Sequence, residues 1–144
     1  MAPFVLPIPS LAVSRAEGGE MEAMEAALTE RIIGCAIEVH RQLGPGLLEG
    51  TYQTALGLEL AFNRIQFECE RHIPVEYRGV RIGMYRPDLI VQNEVVVEVK
   101  STFNYDPVFA AQILTYLRVT GLHTGLLLNF NRPVLKDGIK RFVL

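Results

Sequence analysis

Two short runs, Pro87-Asp88-Leu89-Ile90-Val91 and Val95-Val96-Val97-Glu98-Val99-Lys100, carry the residues whose types and spacing could do chemistry, with Gln92-Asn93-Glu94 between them. Both are rich in β-branched residues, the composition of strands. Paired as a hairpin across Gln92–Glu94, they set Val91 against Val95, Ile90 against Val96 and Asp88 against Glu98. Side chains alternate along a strand, so Leu89, Val91, Val95, Val97 and Val99 share one wholly apolar face. Ile90 and Val96 lie on the other face near the turn, with Asp88, Glu98 and Lys100 at its far end. Two opposed carboxylates repel and are costly to bury. One ammonium offsets part of that. A hard divalent ion such as Mg²⁺ or Mn²⁺ suits both carboxylates and frees Lys100 to orient a water or steady a developing oxyanion. An Asp/Glu/Lys ion-pair cluster at an exposed strand end accounts for the same residues without chemistry.

Further polar residues come in pairs at helical spacing. Glu49 and Tyr52 are three apart and Gln112 and Tyr116 four apart, so each pair lies on one side of its helix and can be aimed at the same strand end. A solvated helix carboxylate and an amphipathic core tyrosine remain ordinary readings of Glu49 and Tyr52. Gln112 stands among Ala110, Ala111, Ile113 and Leu114, where a lone amide needs a partner. His40 has no Ser/Asp or Cys arrangement to make it catalytic, and Arg71, Arg78, Arg81 and Arg86 read first as solvated strand-edge charges.

The elements that must position these groups follow from periodicity and punctuation. Ile32, Cys35, Ala36, Val39 and Leu43 form one apolar stripe of a helix over residues 21–43, stopped at Gly44-Pro45-Gly46. A second helix is expected over 47–63, with Leu48, Tyr52, Ala55, Leu56, Leu60 and Ala61 as its buried positions. Residues 67–77 read as an extended segment that Pro74 interrupts, followed by a turn at Arg78-Gly79 and then the two runs above. A third helix over 107–120 opens at Asp106-Pro107 and closes at Gly121. An apolar strand over 124–130, a turn at Asp137-Gly138 and an edge segment over 139–143 complete the order ααβββαββ, an α/β domain built on a mixed sheet.

Length and composition agree with this. The 144 residues, 49% hydrophobic, suffice for one domain with a two-sided core. Residues 1–20, punctuated by proline and glycine, are expected to be a flexible arm ahead of a single domain over 21–144. The first 30 residues hold five glutamates against Arg15, while residues 31–144 hold 13 bases and 11 acids, so the folded part is mildly basic. That permits a polyanionic partner. Cys35 and Cys69 lie too far from other cysteines for a disulfide framework or zinc ribbon, and read as small buried residues in a reducing cytoplasm. No 18-residue uncharged apolar run exists to span a membrane. The small domain offers a short groove, so a homodimer is expected.

Pro87-Asp88 followed by Glu98-Val99-Lys100 resembles the arrangement of the PD-(D/E)XK nuclease superfamily. Gly46-Leu47-Leu48-Glu49-Gly50-Thr51-Tyr52 resembles the GxxExxY motif of a family of small bacterial proteins in that superfamily. The phrases over residues 39–49, and over 128–131 and 136–140, are similar to that family too, so the likeness spans residues 29–144. It implies a restriction-endonuclease-like αβββαβ core, a central mixed sheet flanked by helices, and a metal-dependent phosphodiesterase acting on DNA or RNA. By position it implies Asp88, Glu98 and the Val99 carbonyl as ligands of Mg²⁺ or Mn²⁺, Lys100 as the catalytic lysine and Glu49 as a further acid. Gln112 and Tyr116 are similar to the Q-x-x-x-Y motif of helicase-associated exonucleases. The alternative is a catalytically silent module of the same fold that binds nucleic acid or a protein partner.

Overall fold

The computed structural model describes residues 15–144. Its elements are α1 (Arg15–Leu43), α2 (Glu49–Phe62), β1 (Phe67–Cys69), β2 (Ile73–Tyr77), β3 (Val80–Tyr85), β4 (Leu89–Val91), β5 (Val95–Lys100), α3 (Val108–Thr120), β6 (Thr124–Asn129), a 3-10 turn (Leu135–Gly138) and β7 (Ile139–Val143). Of the arm expected over 1–20, residues 1–14 lie outside the described residues, while 15–20 are already helical. Apolar periodicity marks the buried part of a helix, not its length. Before Leu28 the helix extends past the core, and Met21 and Met24 are exposed.

Leu28, Ile32, Cys35, Ala36 and Val39 bury the α1 stripe, and Tyr52, Leu56 and Leu60 that of α2. Leu43, Leu48 and Ala61, expected in the core, are exposed: Leu43 ends α1, Leu48 precedes α2, and Ala61 lies off the face that buries Leu56 and Leu60. Glycine ends two of the helices. Gly44 takes φ +67° and its N–H returns to the His40 carbonyl at 2.8 Å, and Gly121 (φ +74°) closes α3 on the Leu117 carbonyl.

A five-stranded sheet has the order β1-β4-β5-β6-β7. The β5–β6 pair, joined through α3, is parallel and the other pairs are antiparallel. One sheet face carries Leu89, Val91, Val95, Val97, Val99, Leu126 and Leu128 against α1 and α2. The opposite face carries Ile90, Val96 and Leu127 against α3. The domain is thus a mixed α/β sandwich with helices on both sides of a mixed sheet. Each buried aliphatic side chain contributes about 2 kcal/mol.

The expected order needs correction between α2 and α3, where five strands stand in place of three. The 67–77 segment breaks at Glu70, which takes φ +51°, and not at Pro74, which lies inside β2 opposite Met84. Arg78-Gly79 does turn, with φ +50° and +79°, and leads into β3, which sequence reading missed. The β2–β3 ribbon is a separate two-stranded sheet. Much of β3 is exposed, so no burial pattern betrays it. Cys35 is buried as expected, but Cys69 is exposed because β1 is an edge strand. The turn expected at Asp137-Gly138 is the end of the 3-10 turn.

Candidate active site

The β4–β5 register is Leu89 to Val97, Ile90 to Val96 and Val91 to Val95, as the hydrophobic pattern requires. Gln92 and Asn93 turn the chain with φ +49° and +53°. One step beyond the last paired residues, Asp88 meets Glu98. The Asp88 amide donates to Glu98 Oε1 at 2.9 Å, and the Val99 amide donates to Asp88 Oδ2 at 2.8 Å. Glu98 is 2% exposed and is the only fully buried charged residue among those described.

A carboxylate in that position is expensive to ionise. Burial pushes Glu98 up to about 8, the Asp88 charge adding to the effect, while the Asp88 amide and the Lys100 ammonium pull it down. Burial raises Asp88 as well, opposed chiefly by the hydrogen bond from Val99. Lys100 Nζ stands 3.8 Å from Glu98 Oε2. It also donates to Gln112 Oε1 at 3.1 Å and lies 4.7 Å from the centre of the Phe109 ring. Gln112 Nε2 donates in turn to the Tyr116 hydroxyl at 3.1 Å. Burial and the Glu98 charge raise Tyr116 to about 12, leaving it a neutral phenol. Asp88, Glu98, Lys100, Gln112 and Tyr116 therefore meet at one end of the sheet.

Glu49 is the looser member. It is exposed in the first turn of α2, where desolvation raises its carboxyl, the Lys100 ammonium lowers it and Asp88 raises it. Tyr52 is a buried anchor: its hydroxyl donates to the Gly44 carbonyl and accepts from the Leu47 amide at 3.1 Å, and its ring stacks on Phe130 at 4.5 Å. Ser101 Oγ, just past Lys100, donates to the Leu47 carbonyl at 2.6 Å. The loop that presents Glu49 is thus tied to both α2 and the end of β5. His40 Nε2 lies 2.8 Å from the Arg132 carbonyl, a packing role away from the carboxylates.

Sequence reasoning missed three neighbours. Gln53 Nε2 donates to the Asp88 carbonyl at 3.3 Å, the Glu70 amide donates to the same carbonyl at 3.1 Å, and the Glu70 charge helps to raise Asp88. Tyr85 meets Tyr116 edge to face at 6.1 Å. The signal for Gln53 was its place one residue after Tyr52. Glu70 and Tyr85 have no motif to mark them.

Two carboxylates raised by burial, Glu98 also by the Asp88 charge and Asp88 also by Glu70, with one cation beside them, form a hard-oxygen donor set that a divalent ion satisfies. The residues fit such an ion in chemistry. Among the described residues, however, no group of three or more His, Cys, Asp or Glu converges as a ready-made cage. Asp88 and Glu98 are the pair on which coordination would centre, and Glu49 stands further out. A cavity of about 460 Å³ opens against Lys100, walled by Tyr85, Phe109, Gln112 and Tyr116. A larger one, about 830 Å³, lies at the turn end of β4 and β5, beside Gln92 and Asn93 and away from the acids. No helix among the described residues is long and apolar enough to cross a membrane.

A family model described as the PD-(D/E)XK nuclease superfamily matches residues 26–142. No curated protein and no solved structure gives a significant match.

Proposed function

The chain belongs to the PD-(D/E)XK nuclease superfamily, and on that footing we propose that it is a metal-dependent phosphodiesterase hydrolysing DNA or RNA at Asp88, Glu98 and Lys100. One observation carries this reading: a glutamate 2% exposed, paired through the backbone with a second acid and faced by a lysine. A structural ion pair does not call for a second carboxylate at such a desolvation cost.

Nucleases of this superfamily are generally dependent on a divalent metal. Asp88, Glu98 and the Val99 carbonyl would hold Mg²⁺ or Mn²⁺, with Glu49 as a further acid. Such an ion, when bound, polarises a phosphoryl oxygen and lowers the pKa of a coordinated water. The chain supplies the rest. Gln112 fixes the Lys100 ammonium, which places a positive charge beside the phosphate as negative charge develops on it. Tyr116 holds the Gln112 amide in the orientation that lets its oxygen face Lys100. Water oxygen bonds to phosphorus, one P–O ester bond breaks, and the departing oxygen takes a proton.

A second reading, a silent module that binds nucleic acid or a protein, is favoured by the lack of a three-acid cage among the described residues. Purified protein offered single-stranded, duplex and branched DNA and RNA with Mg²⁺ or Mn²⁺ decides between them. Cleavage that disappears with EDTA and in Asp88→Asn supports hydrolysis. No cleavage of any of these substrates overturns it. A homodimer through the open edge of β7 or through α1 belongs to the same proposal, and a monomeric mass by light scattering removes it.

A further inference from the structure

The segment that follows β6 is unused by the chemistry above, yet it folds back against the site. Asn129 ends β6 opposite Lys100, and the chain returns through the 3-10 turn to β7. Over these strands, on the side of Phe109 of α3, lies a cavity of about 220 Å³ whose walls include Tyr105, Phe109, Asn129, Arg132 and Lys140. Phe109 is shared with the cavity against Lys100, so the two spaces are neighbours. Gly138 sits so close to the Asn129 carbonyl oxygen that any Cβ there would collide with it, and this close approach shapes the wall.

Two cations line this space without an acid to neutralise them. The ion pairs among the described residues join Arg41 to Glu38, Arg71 to Glu68 and Lys100 to Glu98, and none involves Arg132 or Lys140. Asp137 also lies on the wall but pairs with neither. Arg132 is held through Nη1, which donates to the Thr102 carbonyl at 3.0 Å and the Asn131 carbonyl at 2.9 Å. Among the described contacts, its Nε and Nη2 donate to no protein acceptor. The Lys140 ammonium rests 3.4 Å from the centre of the Tyr105 ring. An ordered guanidinium and an ammonium lodged on an aromatic ring recognise an oxyanion.

Strand register fixes where that anion would lie. Glu98 pairs with Leu127 and Leu127 with Lys140, so the catalytic acid and Lys140 occupy one row on the same face of the sheet. Two strand spacings separate them, about 10 Å. We propose that Arg132 and Lys140 form a subsite for a backbone phosphate of a nucleic-acid strand whose scissile phosphate lies at Asp88 and Glu98. The subsite rests on the phosphodiesterase reading of the neighbouring site. The strand runs across the ends of β5, β6 and β7.

The test measures binding in EDTA, where no turnover is needed, by fluorescence anisotropy of a labelled single-stranded oligonucleotide over a range of salt concentrations. Lys140→Gln should weaken binding about tenfold and reduce the slope of log affinity against log salt by about 0.7. Lys140→Arg should restore both. Lys140 is exposed, so its variants are expected to fold, and melting curves check this. Equal affinity and slope in wild type and Lys140→Gln would overturn the subsite, as would failure of the wild type to bind any oligonucleotide. Inorganic phosphate alone forms the control arm. If it stabilises the protein through Lys140 while oligonucleotide binding ignores that residue, the site is for a free anion and the proposal falls. Retained Lys140 dependence without cleavage in Mg²⁺ would overturn the hydrolase reading, and with it the scissile register, while still supporting Lys140 as a backbone-phosphate contact of a binding module.

Discussion

Asp88 and Glu98 clamp one another through the main chain: the amide of Asp88 donates to Glu98, and the amide directly after Glu98 donates to Asp88. Each acid is thus oriented by the strand that carries the other. Side-chain position at this strand end is set by the β4–β5 register, with no reliance on a mobile loop. Rigid strands give a reacting group more precise placement than loops do.

Removing one charge from the pair separates chemistry from stability. Asp88→Asn and Glu98→Gln should each lower metal-dependent cleavage by at least about a hundredfold. In metal-free protein, neither should lower the melting temperature at pH 8, because each relieves the repulsion between the acids. Cleavage assays beside calorimetry check both halves.

Glu98 also fixes a pH dependence. Its folded-state value, about 8, lies above the ordinary glutamate value of 4.5 in the unfolded chain. The folded state therefore holds the proton more tightly, and stability without metal should fall as pH rises from about 4.5 to about 8. The loss is of the order of a few kcal/mol. Urea midpoints measured in EDTA across that window should decline. Glu98→Gln should flatten the decline, and Mg²⁺ should reverse it at the alkaline end.

On the proposed role of Lys100, Gln112 is expected to act through the ammonium whose hydrogen bond it accepts. Gln112→Ala releases the ammonium from its acceptor and should lower kcat about tenfold with little change in KM. Tyr116→Phe should have a smaller effect in the same direction, since the amide keeps its contact with Lys100. A rise in KM at unchanged kcat would instead assign Gln112 to substrate binding.

Tyr52 is predicted to matter for stability first. Tyr52→Phe keeps the ring on Phe130 but strips the Gly44 carbonyl and the Leu47 amide of their shared partner. The expected loss is about 1–3 kcal/mol by denaturant unfolding. Metal binding should weaken only where Glu49 contributes to it, because the loop being loosened is the one that presents Glu49.

The site was legible in the sequence to the extent that burial wrote it there. Leu89 through Val99 alternate between two covered faces, so a single register satisfies them all, and that register brings Asp88 to Glu98. The glycines at 44 and 121 marked helix ends because their backbones are left-handed. What stayed hidden has no burial signature. Val80–Tyr85 is largely exposed, Cys69 sits on an open edge, and Glu70 reaches the field of Asp88 only because the chain bends at that residue. Tyr52 sits within a polar motif, but its hydroxyl serves the backbone of the preceding turn.

Strands β1 and β4 are sheet neighbours, yet the whole β2–β3 ribbon is looped out between them. The ribbon is nonetheless anchored: Ile73 is buried with Ile90, Val96 and Leu127, and Tyr85 at the end of β3 packs on Tyr116. An alteration of this excursion is therefore transmitted to the acidic corner through Tyr85, and to the α3 side of the core through Ile73.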